Sequence, residues 1–114
     1  MREVIYSDGV IEKLLNLKKY LIDEYNNKIA EKVIKSITYK LDNLGVMDVG
    51  ESLKDRFGIE CDYRFLFTDH NYFIYILDDE RIDILEMFNE KEDFIYVLFG
   101  IHMRSQESID YWGE

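Results

Sequence analysis

A chain of 114 residues, 47% hydrophobic and 15% aromatic, has apolar surface enough for one packed domain, which excludes a disordered or disulfide-dependent chain. Fourteen basic against 24 acidic residues leave a net charge of −10, which repels phosphate backbones at long range and argues against direct, non-specific nucleic-acid binding. The single cysteine, Cys61, excludes an intramolecular disulfide and a thiolate zinc site; with no signal-peptide core and no membrane-length apolar window, the expected compartment is the cytoplasm.

In chain order, REVIYS (2–7) reads as a short strand, and Asp8 offers an acceptor for the free N–H groups of a helix start. Ile11, Leu14, Leu15, Leu21, Ile22 and Tyr25 then form a helical stripe. EYNNK (24–28) breaks it, its asparagines suited to capping. Ile29, Ala30, Val33, Ile34, Ile37, Leu41 and Leu44 build a second helix, stopped at Gly45. Two amphipathic helices joined by a few residues form an antiparallel hairpin.

Residues 45–61 are irregular and charged, with room for one short turn of helix or strand. The period then changes. DYRFLFTD, NYFIYILDD and RIDILEMF are rich in Tyr, Phe and Ile, and the joints Asp69-His70-Asn71 and Asp78-Asp79-Glu80 look like hairpin turns. The middle segment is apolar enough to be covered on both faces. The expected architecture is α+β: an N-terminal strand, a helical hairpin, a three-stranded antiparallel meander (βααβββ) and a short C-terminal helical segment. The whole sheet is expected to be antiparallel, backed on one face by the hairpin.

Few residues suggest chemistry. His70 and His102 share no metal-like spacing with Cys61, GVMDVG lacks the Lys and Ser/Thr of a phosphate loop, and the acidic runs DDERID and NEKED read as solvated turns, so no metal and no cofactor is expected. Arg64 stands on the sheet face opposite Tyr63 and Phe65, while Tyr72 and Tyr75, three apart in a strand, face opposite sides. Lys54 and Arg56 are cations in the preceding loop, and Tyr111 and Trp112 place an aromatic pair on a polar tail.

YRF (63–65), NYFIYIL (71–77), RIDILEMF (81–88), EDF (92–94) and LFGI (98–101), following a strand and a helical hairpin, resemble in their order the RelE/ParE superfamily of type II toxin–antitoxin toxins, the plasmid-stabilisation type. The resemblance implies one domain over 1–101 with a tail at 102–114. It implies growth arrest relieved by a cognate antitoxin, DNA being met only through that antitoxin. The target is either mRNA at the ribosome, cut by an endoribonuclease, or DNA gyrase, inhibited without catalysis; a degenerate member would act only as a protein-binding or regulatory module. For cleavage, where a 2′-hydroxyl attacks the neighbouring phosphate, the residues implied are Arg64, Lys54, Arg56, Lys91 and Tyr72, supplying cations for the phosphorane and proton transfer. The family commonly carries His or Arg in the turn after the last strand, where this chain has Asn89, Glu90, Lys91, Glu92 and Asp93. The turn therefore reads as packing, with Phe94, Val97, Leu98 and Phe99 folding back on the sheet.

Overall fold

The computed structural model describes residues 1–100. His102, Tyr111 and Trp112 lie outside the described residues. Along the chain come β1 (Glu3–Tyr6), α1 (Asp8–Glu24), α2 (Asn27–Asn43), β2 (Glu51–Ser52), α3 (Leu53–Phe57), β3 (Arg64–Thr68), β4 (Asn71–Leu77), β5 (Arg81–Asn89) and α4 (Phe94–Phe99). The fold is α+β, and it contains the helical hairpin and the antiparallel β3–β4–β5 meander. The sheet departs from expectation in two respects. It has five strands in the order β1-β5-β4-β3-β2, and β1 runs parallel to β5, from Glu3 opposite Arg81 to Tyr6 opposite Ile84.

The parallel pair follows from the path of the helices. The chain leaves β1 and continues in the same sense along α1, where Lys13 Nζ donates to the Met87 carbonyl at 2.8 Å, farther along β5. Helix α2 returns it to the start of β1, where Arg2 N donates to the Gly45 carbonyl at 2.8 Å. A meander of three strands starting from that end must finish with its last strand running as β1 runs.

Caps mark the helix starts. Ser7, not Asp8, caps α1: its hydroxyl accepts from Val10 N at 3.2 Å and donates to the Leu85 carbonyl at 3.0 Å. Asn26 caps α2 by accepting from Ile29 N at 2.8 Å. Between β3 and β4 the turn is Asp69-His70, both left-handed at φ 50° and 65°, which is uncommon without glycine. Ser36 and Thr68 donate to Asp69 Oδ2 at 3.2 and 2.7 Å and fasten this turn to α2.

Two apolar layers sandwich the sheet. On one face Val10, Leu14, Ile37, Leu41 and Leu44 pack on Phe73, Tyr75, Ile82, Ile84 and Met87. On the other, Leu53 of α3 and Phe94 and Ile95 of α4 cover Phe65, Ile74 and Phe88. Each such side chain, fully buried, contributes roughly 1.5–3 kcal/mol. A β-bulge makes this arrangement possible. Ile74 lies opposite Glu86 and Tyr75 opposite Ile84, so Leu85 is an extra residue in β5. Past it the side-chain alternation inverts, and Met87 joins Ile82 and Ile84 beneath the helices while Phe88 turns to the other face.

Candidate functional site

The turn after β5 is built by its own carboxylates. Glu92 Oε2 accepts from Asn89 N at 2.7 Å, and Asp93 Oδ1 caps α4 by accepting from Tyr96 N at 3.1 Å. Glu90 Oε1 lies 2.9 Å from His70 Nδ1, and Glu90 N donates to the His70 carbonyl at 2.8 Å. The turn is thereby tied to the β3–β4 turn beside it. Asn89 Oδ1 accepts from Lys91 N at 3.0 Å, leaving the Lys91 side chain exposed. The charges between strand and helix thus have a folding role.

Beneath the turn lies an open cleft of about 240 Å³, lined by Phe57, Tyr72, residues 90–93, Phe94 and Ile95. Its floor is an aromatic cluster: Tyr72 lies 4.6 Å from Phe94, 4.7 Å from Phe67 and 5.8 Å from Phe65, centroid to centroid. Two of the five implied site residues, Tyr72 and Lys91, meet here. Lys54 and Arg56 are exposed on α3, which contributes Phe57 to the wall, and Lys54 Nζ lies 3.3 Å from Glu60 Oε2. Among the residues lining the cleft, Lys91 stands beside the three carboxylates of Glu90, Glu92 and Asp93. Such a balance opposes a phosphodiester instead of steadying the charge of its cleavage.

Arg64 is not in this cleft. It stands in register with Tyr75 on the hairpin face, with Tyr63 and Phe65 turned to the other layer as the alternation requires. Its Nε lies 2.8 Å from Asp48 Oδ2, an ion pair by distance whose N–H is not aligned on the oxygen, and its Nη2 donates to the Gly50 carbonyl at 2.8 Å. The Tyr75 hydroxyl donates to Asp48 Oδ1. Burial opposes the charge on Arg64, but the Tyr75 hydroxyl and the Asp48 carboxylate outweigh it, and its pKa rises. Burial, then the bond to Asp48, pushes the Tyr75 phenol up. Arg64 is 28% exposed; its contacts with Asp48 and the Gly50 carbonyl let it position the 45–50 loop, and it also lines a surface cavity with Asp62, Tyr63, Ile76 and Leu77. Asp48 was not singled out in the sequence; its signal was an acid set between apolar residues and two glycines.

A third feature lies outside the hairpin. Tyr6, Ile11, Leu14, Leu15, Lys18, Ile34, Thr38 and Asp42 line a groove of about 380 Å³ between α1 and α2. Ile11 and Leu15, 45% and 62% exposed, belong to this groove and not to the core the helical stripe suggested. The rim carries one bond of note, Tyr6 Oη to Asp42 Oδ1 at 2.8 Å. Burial and that bond raise the Tyr6 pKa well above the usual tyrosine range. Among the described residues no group of three or more His, Cys, Asp or Glu side chains could hold a metal ion, and no helix is long and apolar enough to cross a membrane.

The same architecture occurs in a solved chain of the "Chromosomal ParDE TA system from P. aeruginosa", at a TM-score of 0.63 over 78% of this chain and 96% of that one. This chain shares the fold of that ParDE-system chain. Sequence identity to that structure is 15%, so the likeness is one of fold. No protein-family model matches the sequence, and no curated protein matches it significantly. The parallel β1 edge is part of the sheet of this chain, where an all-antiparallel sheet was expected.

Proposed function

We propose that this chain is the toxin component of a bacterial type II toxin–antitoxin module, acting in the cytoplasm and neutralised by a cognate antitoxin. The observation that carries the proposal is the apolar groove along the hairpin of a RelE/ParE-type fold. An amphipathic antitoxin segment laid there buries Ile11 and Leu15 against its own apolar face. DNA is met only through that antitoxin.

Of the two growth-arresting activities, inhibition of a protein target such as DNA gyrase fits the chain better than cleavage of mRNA at the ribosome. The cleft beneath residues 89–93 sets Tyr72 and Lys91 among carboxylates already holding backbone N–H groups. Lys54 and Arg56 could add positive charge from α3, whereas Arg64 supports the fold from the opposite face. A degenerate member that only binds a protein is the second reading, favoured by the same acidic turn.

Expression of the chain alone, and together with the product of the neighbouring reading frame, tests the proposal. Growth arrest on expression and rescue by the neighbour are expected, with Ile11→Ser/Leu15→Ser weakening the complex. Harmless expression in several bacterial hosts removes the toxin reading and leaves the binding module.

A further inference from the structure

We propose that the loop at residues 45–50, with the acidic β4–β5 turn beside it, is a docking surface for a basic protein segment that carries apolar anchors. It is distinct from the hairpin groove and does not depend on the toxin reading.

Val46, Met47 and Val49 are 67%, 67% and 59% exposed, three large apolar side chains within four residues. Exposed apolar residues scattered singly need no explanation. These are held outward by construction. Asp48, between them, points inward and is bound by Tyr75 and Arg64. At the two ends, Gly45 is held by Arg2 N and Gly50 by Arg64 Nη2, each donating to the glycine carbonyl at 2.8 Å. Neither glycine has room for a side chain. A Cβ on Gly50 would stand 2.7 Å from the Phe65 carbonyl oxygen, and one on Gly45 would collide with the Arg2 carbonyl. A loop fixed at both ends and its middle has little conformational freedom left to lose on binding.

The surroundings specify the partner's charge. Arg2 joins the loop to the β4–β5 turn, its N on Gly45 and its Nε donating to the Asp78 carbonyl at 2.6 Å. Glu3, Glu51, Asp78, Asp79 and Glu80 are exposed around this end of the sheet. Backbone N–H groups of Glu80 and Arg81 donate to the Asp78 carboxyl and hold it below the usual carboxylate range. The nearby cation Arg81 is paired with Asp83 at 3.2 Å. The asymmetry extends through the molecule: residues 8–43 carry seven lysines against six acids, whereas residues 44–100 carry five basic residues against fourteen acids. Charge complementarity selects Lys or Arg flanking apolar anchors, and the field of the sheet half steers such a segment inward.

Three synthetic peptides of equal length, alternating leucine with lysine, serine or glutamate, titrated into the labelled protein and followed by backbone amide shifts, test this. The lysine peptide is expected to shift residues 46–51 and 78–80 and to lose affinity as salt rises. Val46→Ser/Met47→Ser/Val49→Ser should weaken it by about tenfold or more, and Asp79→Lys/Glu80→Lys should remove its salt dependence. Asp48→Asn should weaken it with the three apolar side chains intact, and Tyr39→Ser on α2 should change nothing. The serine-substituted loop residues are solvent-facing, so that variant carries the test even if Asp48→Asn fails to fold. Absence of binding, shifts mapping elsewhere, or equal affinity for the serine or glutamate peptide overturns the proposal.

Discussion

The Tyr75 hydroxyl, rising from a fully buried position in β4, donates its proton to Asp48, a residue on the loop that carries the chain from α2 to β2. Arg64 closes the group by reaching both Asp48 and the Gly50 carbonyl. Because the hydroxyl is buried, Tyr75→Phe should cost about 1–2 kcal/mol, and Arg64→Ala about 1–3 kcal/mol by leaving a part-buried carboxylate short of its cation. Urea unfolding of both single variants and the double variant measures their coupling, expected to be non-additive. Growth arrest lost in Arg64→Ala should then follow loss of folded protein. A stably folded Arg64→Ala variant with no activity would instead restore the residue to a functional contact.

Gly50 is required by space, not by an unusual backbone angle. A Cβ there meets the Phe65 carbonyl oxygen at 2.7 Å and the Tyr75 ring carbon bearing the hydroxyl at 2.9 Å, and neither neighbour is a flexible chain end. Gly50→Ala should therefore destabilise by more than about 2 kcal/mol. Gly9→Ala, where a Cβ meets nothing within 4 Å and the position is helical, should be neutral or slightly stabilising. Thermal melting of the two variants side by side is the measurement, and equal melting temperatures would contradict the packing argument.

Tyr6 and Tyr75 make the alkaline limb of stability steep. Burial and a carboxylate partner raise both phenols above the usual value near 10. In the unfolded chain they release protons at that ordinary value while the folded chain still holds them, so the unfolded state binds fewer protons and stability falls as pH rises. Their contribution is complete below about pH 10 and lost above it. Replacing both by phenylalanine should flatten this limb above about pH 10 while lowering stability at neutral pH. Denaturant midpoints against pH test the sign; an unchanged alkaline slope would refute it.

Most of the fold was legible because its signals are local. The change from helical spacing before Gly45 to alternation after Asp62 separates hairpin from meander, and the joints at Asp69 and Asp78 are read from short polar side chains. What escaped was set by long-range geometry. The parallel β1 edge depends on α1 continuing in the direction of β1, which no window of residues reveals. The Leu85 bulge is an insertion visible only against β4, and Ser7 outcompetes Asp8 as cap partly because its hydroxyl also reaches the Leu85 carbonyl. Of the candidate site, the separation of Tyr72 from Tyr75 followed from strand alternation. Ile11 and Leu15 belong to the helical stripe yet are exposed, because a stripe wider than the sheet's footprint looks the same in sequence as a buried one. In α4 Phe94 and Ile95 are buried, while Val97, expected to fold back on the sheet, is exposed, a rotation that the short apolar run does not specify.

The cleft under residues 89–93 separates the two toxin mechanisms through Lys91. Its ammonium is exposed and its carboxylate neighbours bind the turn, so Lys91→Ala should alter stability by less than about 0.5 kcal/mol. Tyr72→Ala, which removes the centre of the aromatic floor, should cost about 3 kcal/mol or more and cannot serve as a clean probe of chemistry. Induction of the wild-type chain is expected to leave cellular mRNAs full length and to raise the DNA-damage response, with Lys91→Ala behaving alike in both respects. A ribosome-dependent nuclease would produce transcripts truncated within codons, and losing the Lys91 cation would lower that signal by about tenfold or more, as removal of a single stabilising charge does elsewhere. Sequencing of transcript ends after induction distinguishes the two. Truncated ends that disappear in Lys91→Ala would mean that an acidic cleft can still organise a phosphate, with Lys91 the one cation lining it among the described residues.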